Sequence, residues 1–120
     1  VFWFWSNIIK GSAILEERYI KYFSRHLSRE IEMLVFGNWG YPVLLFPTTL
    51  GRYYQAKDMG MIEAVRGFIE DGRFKVYCVD SIDEDSWYGK HLDPAQRVLN
   101  YIHSGNSARM QCRWNCGGWL

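Results

Sequence analysis

Apolar positions alternate with polar ones early in the chain, and the alternation has period two. In Glu30-Ile31-Glu32-Met33-Leu34-Val35-Phe36, residues Ile31, Met33 and Val35 share one face of an extended segment. The preceding run Tyr19-Ile20-Lys21-Tyr22-Phe23-Ser24 is aromatic and β-favouring, and the turn-like Arg25-His26-Leu27-Ser28 separates the two. Two such runs divided by a few residues predict an antiparallel β-hairpin, with His26 solvated in its turn. Gly37, Gly40 and Pro42 close that unit. Next comes Val43-Leu44-Leu45-Phe46, an unbroken apolar run between Pro42 and Pro47. A run without alternation predicts a strand covered on both faces.

The period then changes. Met61, Ile62, Val65, Phe68 and Ile69 recur at helical spacing, with Asp58 placed as an N-cap and Gly72 just past the end. Lys75-Val76-Tyr77-Cys78-Val79 follows as a second buried strand ending in Asp80-Ser81. Strand, helix and strand over this length predict a βαβ unit with parallel pairing. Asp93 to Ile102 reads as a further helix with Pro94 in its first turn. From Ser104 onward neither period is present. The predicted fold class is therefore α/β, a partial sheet made of a β-hairpin followed by a βαβ unit. Residues 1–18 form an aromatic N-terminal extension, 19–103 the α/β unit and 104–120 an irregular tail.

Length and charge narrow the function classes. A chain of 120 residues is one small domain at most. Lys+Arg number 14 against 13 Asp+Glu, a formal net charge of +1, so the clustered basic excess of a nucleic-acid binder is absent. Aromatics reach 18% of residues. A domain of this size buries about two thirds of its extended surface, so some aromatics are expected in a pocket or a subunit contact. Three cysteines, an odd number, argue against a disulfide framework and for a reducing compartment. No apolar run approaches the ~20 residues that span a bilayer. Val1-Phe2-Trp3-Phe4-Trp5 lacks the basic start and the cleavage site of a signal peptide. The expectation is a cytoplasmic chain with no membrane span.

Several segments carry a resemblance. Pro42-Val43-Leu44-Leu45-Phe46-Pro47-Thr48-Thr49-Leu50-Gly51-Arg52-Tyr53-Tyr54 is followed in order by Asp58-Met59-Gly60-Met61-Ile62 and Tyr77-Cys78-Val79-Asp80-Ser81. Glu84-Asp85-Ser86-Trp87-Tyr88 and His91-Leu92-Asp93-Pro94-Ala95 come next. Over about residues 19–102 the chain resembles the opening half of the esterase D-type family of the α/β-hydrolase fold. The resemblance implies acyl transfer through a serine ester, with backbone N–H groups stabilising the oxyanion. It puts the oxyanion-donating N–H at Thr49, with Leu50 next in line, and His91 near the rim of the site. Tyr53, Tyr54, Trp87 and Tyr88 are the aromatics expected around a pocket for a small ester. No cofactor and no metal are implied.

The sequence departs from that family where the nucleophile should be. No G-x-S-x-G elbow occurs, and Gly105-Asn106-Ser107-Ala108-Arg109 lacks its closing glycine. No Asp, Glu or His follows Ser107. The chain reads as an opening half-hydrolase joined to an unrelated tail. A pair of Ser107 with His103, or Ser81 alone, remains as a candidate nucleophile, and each needs a base within hydrogen-bonding reach. The acidic run Asp80, Asp83, Glu84 and Asp85 reads as a solvated loop with turn hydrogen bonds to Ser81 and Asp83, rather than as a cation site. Cys112 and Cys116 lack the further ligands of a zinc site.

Two functions stand. One is a carboxylic-ester hydrolase acting on small acyl esters; the other is a catalytically inactive hydrolase-derived fragment that binds ligands or associates with itself. An incomplete sheet exposes a strand edge, so a homodimer is expected.

Overall fold

The computed structural model describes residues 15–115, and of 110–115 only the helical backbone. The aromatic run at residues 1–5, most of the 1–18 extension and the side chains of Cys112 and Cys116 lie outside the described residues.

The hairpin forms as predicted. Strand β1 (Glu17–Ser24) pairs antiparallel with β2 (Arg29–Phe36), from Glu17 opposite Phe36 to Ser24 opposite Arg29. In the turn, Ser28 adopts a left-handed φ of 53° and the Leu27 N–H donates to Ser24 Oγ. β2 is buried on both faces. Ile31, Met33 and Val35 point to one side, and Leu34 and Phe36 are equally buried on the other.

Strands β3 (Tyr41–Leu45) and β4 (Phe74–Val79) pair in parallel, so the βαβ unit is present. The sheet order is β1-β2-β4-β3. The expectation that β3 is covered on both faces is corrected: it lies at the edge, and Val43 is 36% exposed. Pro42, which has no N–H to give to a ladder, is at home on an edge strand.

The single helix expected between these strands is three short ones, α1 (Gln55–Asp58), α2 (Met61–Ala64) and α3 (Arg66–Glu70). Gly60, at a φ of 77°, separates α1 from α2, and Val65, at a φ of −105°, separates α2 from α3. Asp58 ends α1 instead of capping a helix. Gly72 does cap α3: its N–H donates to the Ile69 carbonyl and the Arg73 N–H to the Phe68 carbonyl. This crossed pair is the Schellman arrangement, which requires the left-handed φ of 73° found at Gly72.

Helix α4 (Pro94–Asn115) starts where proline at the first turn predicts. Asp93 caps it by accepting the Ala95 N–H on Oδ2 at 3.0 Å. The irregular tail is corrected over 104–115, because α4 continues through it. The apolar period is missing there for a physical reason. Asn100 and Ala108 are the buried residues of this helix and Ser104 stands half-buried between them, a spacing of four each time. Among the described side chains of α4, the inward positions are thus small or polar rather than large and apolar.

Two clusters make the core. Leu34, Phe36, Val76 and Cys78 pack beneath Ala56, Ile62 and Ile69 of α1–α3. Met33, Val35, Tyr77 and Val79 pack beneath Ala108 of α4. No helix among the described residues is long and apolar enough to cross a membrane.

Candidate functional site

The parallel strands β3 and β4 end side by side, and their carboxyl ends open onto α4. In α/β sheets ligands settle in such crevices. Here the crevice has a volume of about 330 Å³ and is lined by Phe46, Pro47, Thr49, Asp80, Ser81, Ile82, Asp83, Trp87, Tyr101, Ser104 and Gly105. One wall is the β3 loop, the floor is the loop after β4, and the far wall is α4.

The β3 loop is held in a defined shape. Gly51 N–H donates to the Thr48 carbonyl at 2.7 Å, closing a turn whose third residue, Leu50, adopts a φ of 57°. A positive φ at leucine is costly, on the order of 1–3 kcal/mol, and needs compensation nearby. Asp83 supplies part of it: its Oδ2 accepts the Leu50 N–H at 2.7 Å. Gln55 adds two more bonds, its Oε1 accepting the Thr48 N–H and its amide donating to Thr48 Oγ1. Leu50, second choice as an oxyanion donor, thus has its N–H engaged. The Thr49 N–H makes no hydrogen bond among the described residues, and Thr49 lines the crevice.

The loop after β4 is held by its acidic residues. Asp80, 8% exposed, accepts from Arg52 Nε at 2.9 Å and from the Tyr53 N–H at 3.2 Å. Arg52 also reaches Glu32 at 2.6 Å, and the Tyr19 hydroxyl donates to the other Glu32 oxygen at 2.5 Å. The Asp80 hydrogen bond raises the Arg52 pKa further above its usual value. The Glu32 carboxylate holds the Tyr19 phenol up at about 12. Ser81 Oγ accepts the Asp83 N–H at 3.1 Å, as the turn reading requires. Asp85 pairs with Arg29 at 2.9 Å. These carboxylates staple loops to strands, and no group of three or more metal-ligating side chains gathers among the described residues.

The site residues expected from the sequence divide. Thr49, Ser81 and Trp87 meet in the crevice. Tyr53 and Tyr54 pack on each other edge-on at 5.1 Å, and Tyr53 also meets Tyr19 at 5.8 Å. Both belong to a separate aromatic group beside the first core cluster. Tyr88 and His91 are exposed and line no part of the crevice. His103 stacks on His26, with ring centroids 3.8 Å apart and planes within 3°. His26 is exposed in its turn, as expected, and its ring also stacks on α4 there. Ser107 is half-buried one turn beyond His103 on the same helix, and neither lines the crevice.

Phe46, Tyr101 and Ser104 were missed as site residues. Tyr101 and Ser104 lie three apart, which on a helix puts them on one face. The signal was present but became readable only once α4 extended past Ile102. Tyr101 meets Trp87 edge-on at 5.7 Å and forms the aromatic wall with it.

No family model matches the chain, and it matches no curated protein and no solved structure. The class defined by fold and site is an α/β protein with a four-strand mixed sheet and a crevice at the ends of its parallel strands.

Proposed function

We propose that this chain is an α/β-hydrolase-type module that holds a small carbonyl compound, an acyl ester or its acid, in the crevice between β3, β4 and α4. In this reading it binds without turnover. One observation carries it: the crevice offers serine hydroxyls, the Thr49 amide and an aromatic wall, but no histidine lines it. A serine hydroxyl attacks an ester only when an adjacent base takes its proton. Asp80 and Asp83, the carboxylates in the lining, are committed to Arg52 and to the Leu50 N–H.

Titration with butyrate and phenylacetate, followed by tryptophan fluorescence, tests the reading. The saturable change is expected to vanish in Trp87→Phe; no saturation at millimolar ligand overturns it.

Ester hydrolysis is the second reading, favoured by Ser81 and Ser104 lining the same crevice as Thr49. It predicts turnover of a short-chain nitrophenyl ester and a single fluorophosphonate adduct, both abolished by Ser81→Ala or Ser104→Ala. A cytoplasmic setting suits either reading, because three cysteines, an odd number, fit a reducing compartment better than a disulfide framework.

A further inference from the structure

We propose that the open edge of β3 pairs with the same edge of a second copy, antiparallel and in the register that sets Leu44 opposite Leu44, to give a homodimer with one continuous sheet. The inference uses the backbone of β3 and of Phe46, which follows it at the crevice margin, and does not rest on which compound the crevice binds.

The direction of each backbone group follows from one hydrogen bond. The Tyr41 N–H donates to the Arg73 carbonyl at 2.8 Å, so Tyr41 turns its polar groups toward β4. Strand residues alternate, so Val43 and Leu45 do the same, while Pro42 and Leu44 turn theirs to the free edge. The proposed pairing extends the alternation one residue past the strand, so that Phe46 faces out as well. The edge therefore presents the carbonyls of Pro42, Leu44 and Phe46 and the N–H groups of Leu44 and Phe46. Proline contributes no donor, and it sits where none is used by the protein's own sheet.

This set is self-complementary about Leu44. Each Leu44 N–H meets the Leu44 carbonyl of the other copy, and each Phe46 N–H meets the other Pro42 carbonyl. A register centred on Val43 would instead set Pro42 opposite Leu44 and lose a donor at both bonded pairs. One centred on Leu45 would rest every bond on Phe46, outside the observed strand.

The side chains agree. Between Glu32 and Arg52 no charged residue occurs, so two β3 edges meet without like-charge repulsion. Tyr41 is 80% and Phe46 57% exposed, leaving apolar surface on both flanks of the edge. The opposite edge differs. β1 carries Glu17, Arg18 and Lys21, and its Glu17 and Lys21 are tied into ion pairs with Lys57 and Glu30. Charges of that kind are how proteins blunt an edge against further pairing, and β3 has none.

Sedimentation of the full chain from low to several hundred micromolar tests the association, and a dimer is expected. In a Cys112→Ser, Cys116→Ser background, Val43→Cys and Leu45→Cys chains mixed in equal amounts under mild oxidation are expected to form the mixed disulfide well beyond the roughly two-fold excess over either homodisulfide that random pairing gives. Leu44→Pro, which deletes the outward donor without touching the bonds to β4, is expected to be monomeric. If that variant is unfolded by circular dichroism, the disulfide pattern decides alone. A monomer at every concentration overturns the proposal, as it would if another segment of this chain covered the edge. A dominant homodisulfide overturns the register, and a folded Leu44→Pro dimer overturns the edge.

Discussion

One face of the sheet lies under three short helices that contribute Ala56, Ile62 and Ile69 to a cluster with Leu34, Phe36, Val76 and Cys78. The other lies under one long helix that contributes Ala108 to a cluster with Met33, Val35, Tyr77 and Val79. The first cover is made of several apolar anchors at different points of the sheet. Among the described residues, the second is made of buried Ala108 and Asn100, a few hydrogen bonds and a ring stack, and the crevice lies along its margin. A helix held by small residues and polar contacts can leave a crevice beside it that an aliphatic seal would fill. The comparison predicts that damage to the first face unfolds the whole domain, while damage to the second loosens α4 and the crevice first.

The largest effect is expected on the first face. Phe36 is almost fully buried among aliphatic neighbours, and Phe36→Ala should cost about 3–5 kcal/mol, a large share of a small domain's stability. A lower denaturation midpoint at unchanged slope would be the signature. Cys78 in the same cluster offers a second readout. Burial pushes its thiol up to about 12, so it stays protonated and unreactive toward thiol reagents at pH 8 while folded. In the Cys112→Ser, Cys116→Ser background its labelling should track global unfolding, and Phe36→Ala should speed it in proportion. Rapid labelling without loss of stability would show that this face opens locally, against the comparison.

A smaller effect is expected where the β3 loop joins the sheet. Asp80→Ala strips the partner from Arg52 Nε and from the Tyr53 N–H, and Arg52 retains Glu32. A loss of about 1–3 kcal/mol follows, toward the lower end because Arg52 is half exposed. Asp80→Asn should recover part of it. If both variants match the unsubstituted chain, the loop is held by Gln55 and Asp83 alone.

On the second face, Asn100 donates from Nδ2 to the Asp85 carbonyl at 2.9 Å and accepts from Gln96 on Oδ1. Asn100→Ala should cost about 1 kcal/mol. Its effect on ligand titration at Trp87 should exceed its effect on the denaturation midpoint, since Asp85 and Trp87 lie in the segment that Asn100 anchors. Equal effects on both would mean that α4 is part of one cooperative unit with the first face.

The legibility of these regions from sequence follows the same division. The hairpin and the βαβ unit were readable because their cores are made of large apolar residues at period two or in unbroken runs. The position of β3 was not: its unbroken apolar run has the look of a covered strand, and only the pairing order shows that it stands at the edge. Local backbone overrode periodicity between Gln55 and Glu70, where Gly60 at a φ of 77° separates α1 from α2 and Val65 at a φ of −105° divides the apolar stripe between α2 and α3. The second half of α4 was hidden because Ser104 and Ala108, which continue the spacing of four from Asn100, carry no large apolar side chain, and with it went Ser104 of the crevice. Thr49 and Trp87 do line the crevice, Thr49 from the loop after β3 and Trp87 from the longer segment after β4. Tyr53 and Tyr54 were drawn to the same pocket by proximity in sequence, yet their rings belong to the Tyr19 group.

The smallest effect, and the sharpest test of how α4 is held, concerns His26 and His103. Their stacked rings join the turn between β1 and β2 to the middle of α4. Aromatic pairs contribute about 0.5–1.5 kcal/mol beyond their buried area, and an exposed pair such as this belongs near the lower bound. His26→Ala and His103→Ala should each lower stability slightly, and the double variant should lose less than the sum, because the second substitution removes a contact already gone. Tryptic cleavage within α4, at Arg109, should accelerate in either variant while Cys78 labelling stays slow. That pairing of readouts separates local release of α4 from opening of the sheet. Strict additivity in the cycle would mean that the rings contribute independently, leaving Asn100 and Ala108 to hold α4 to the sheet.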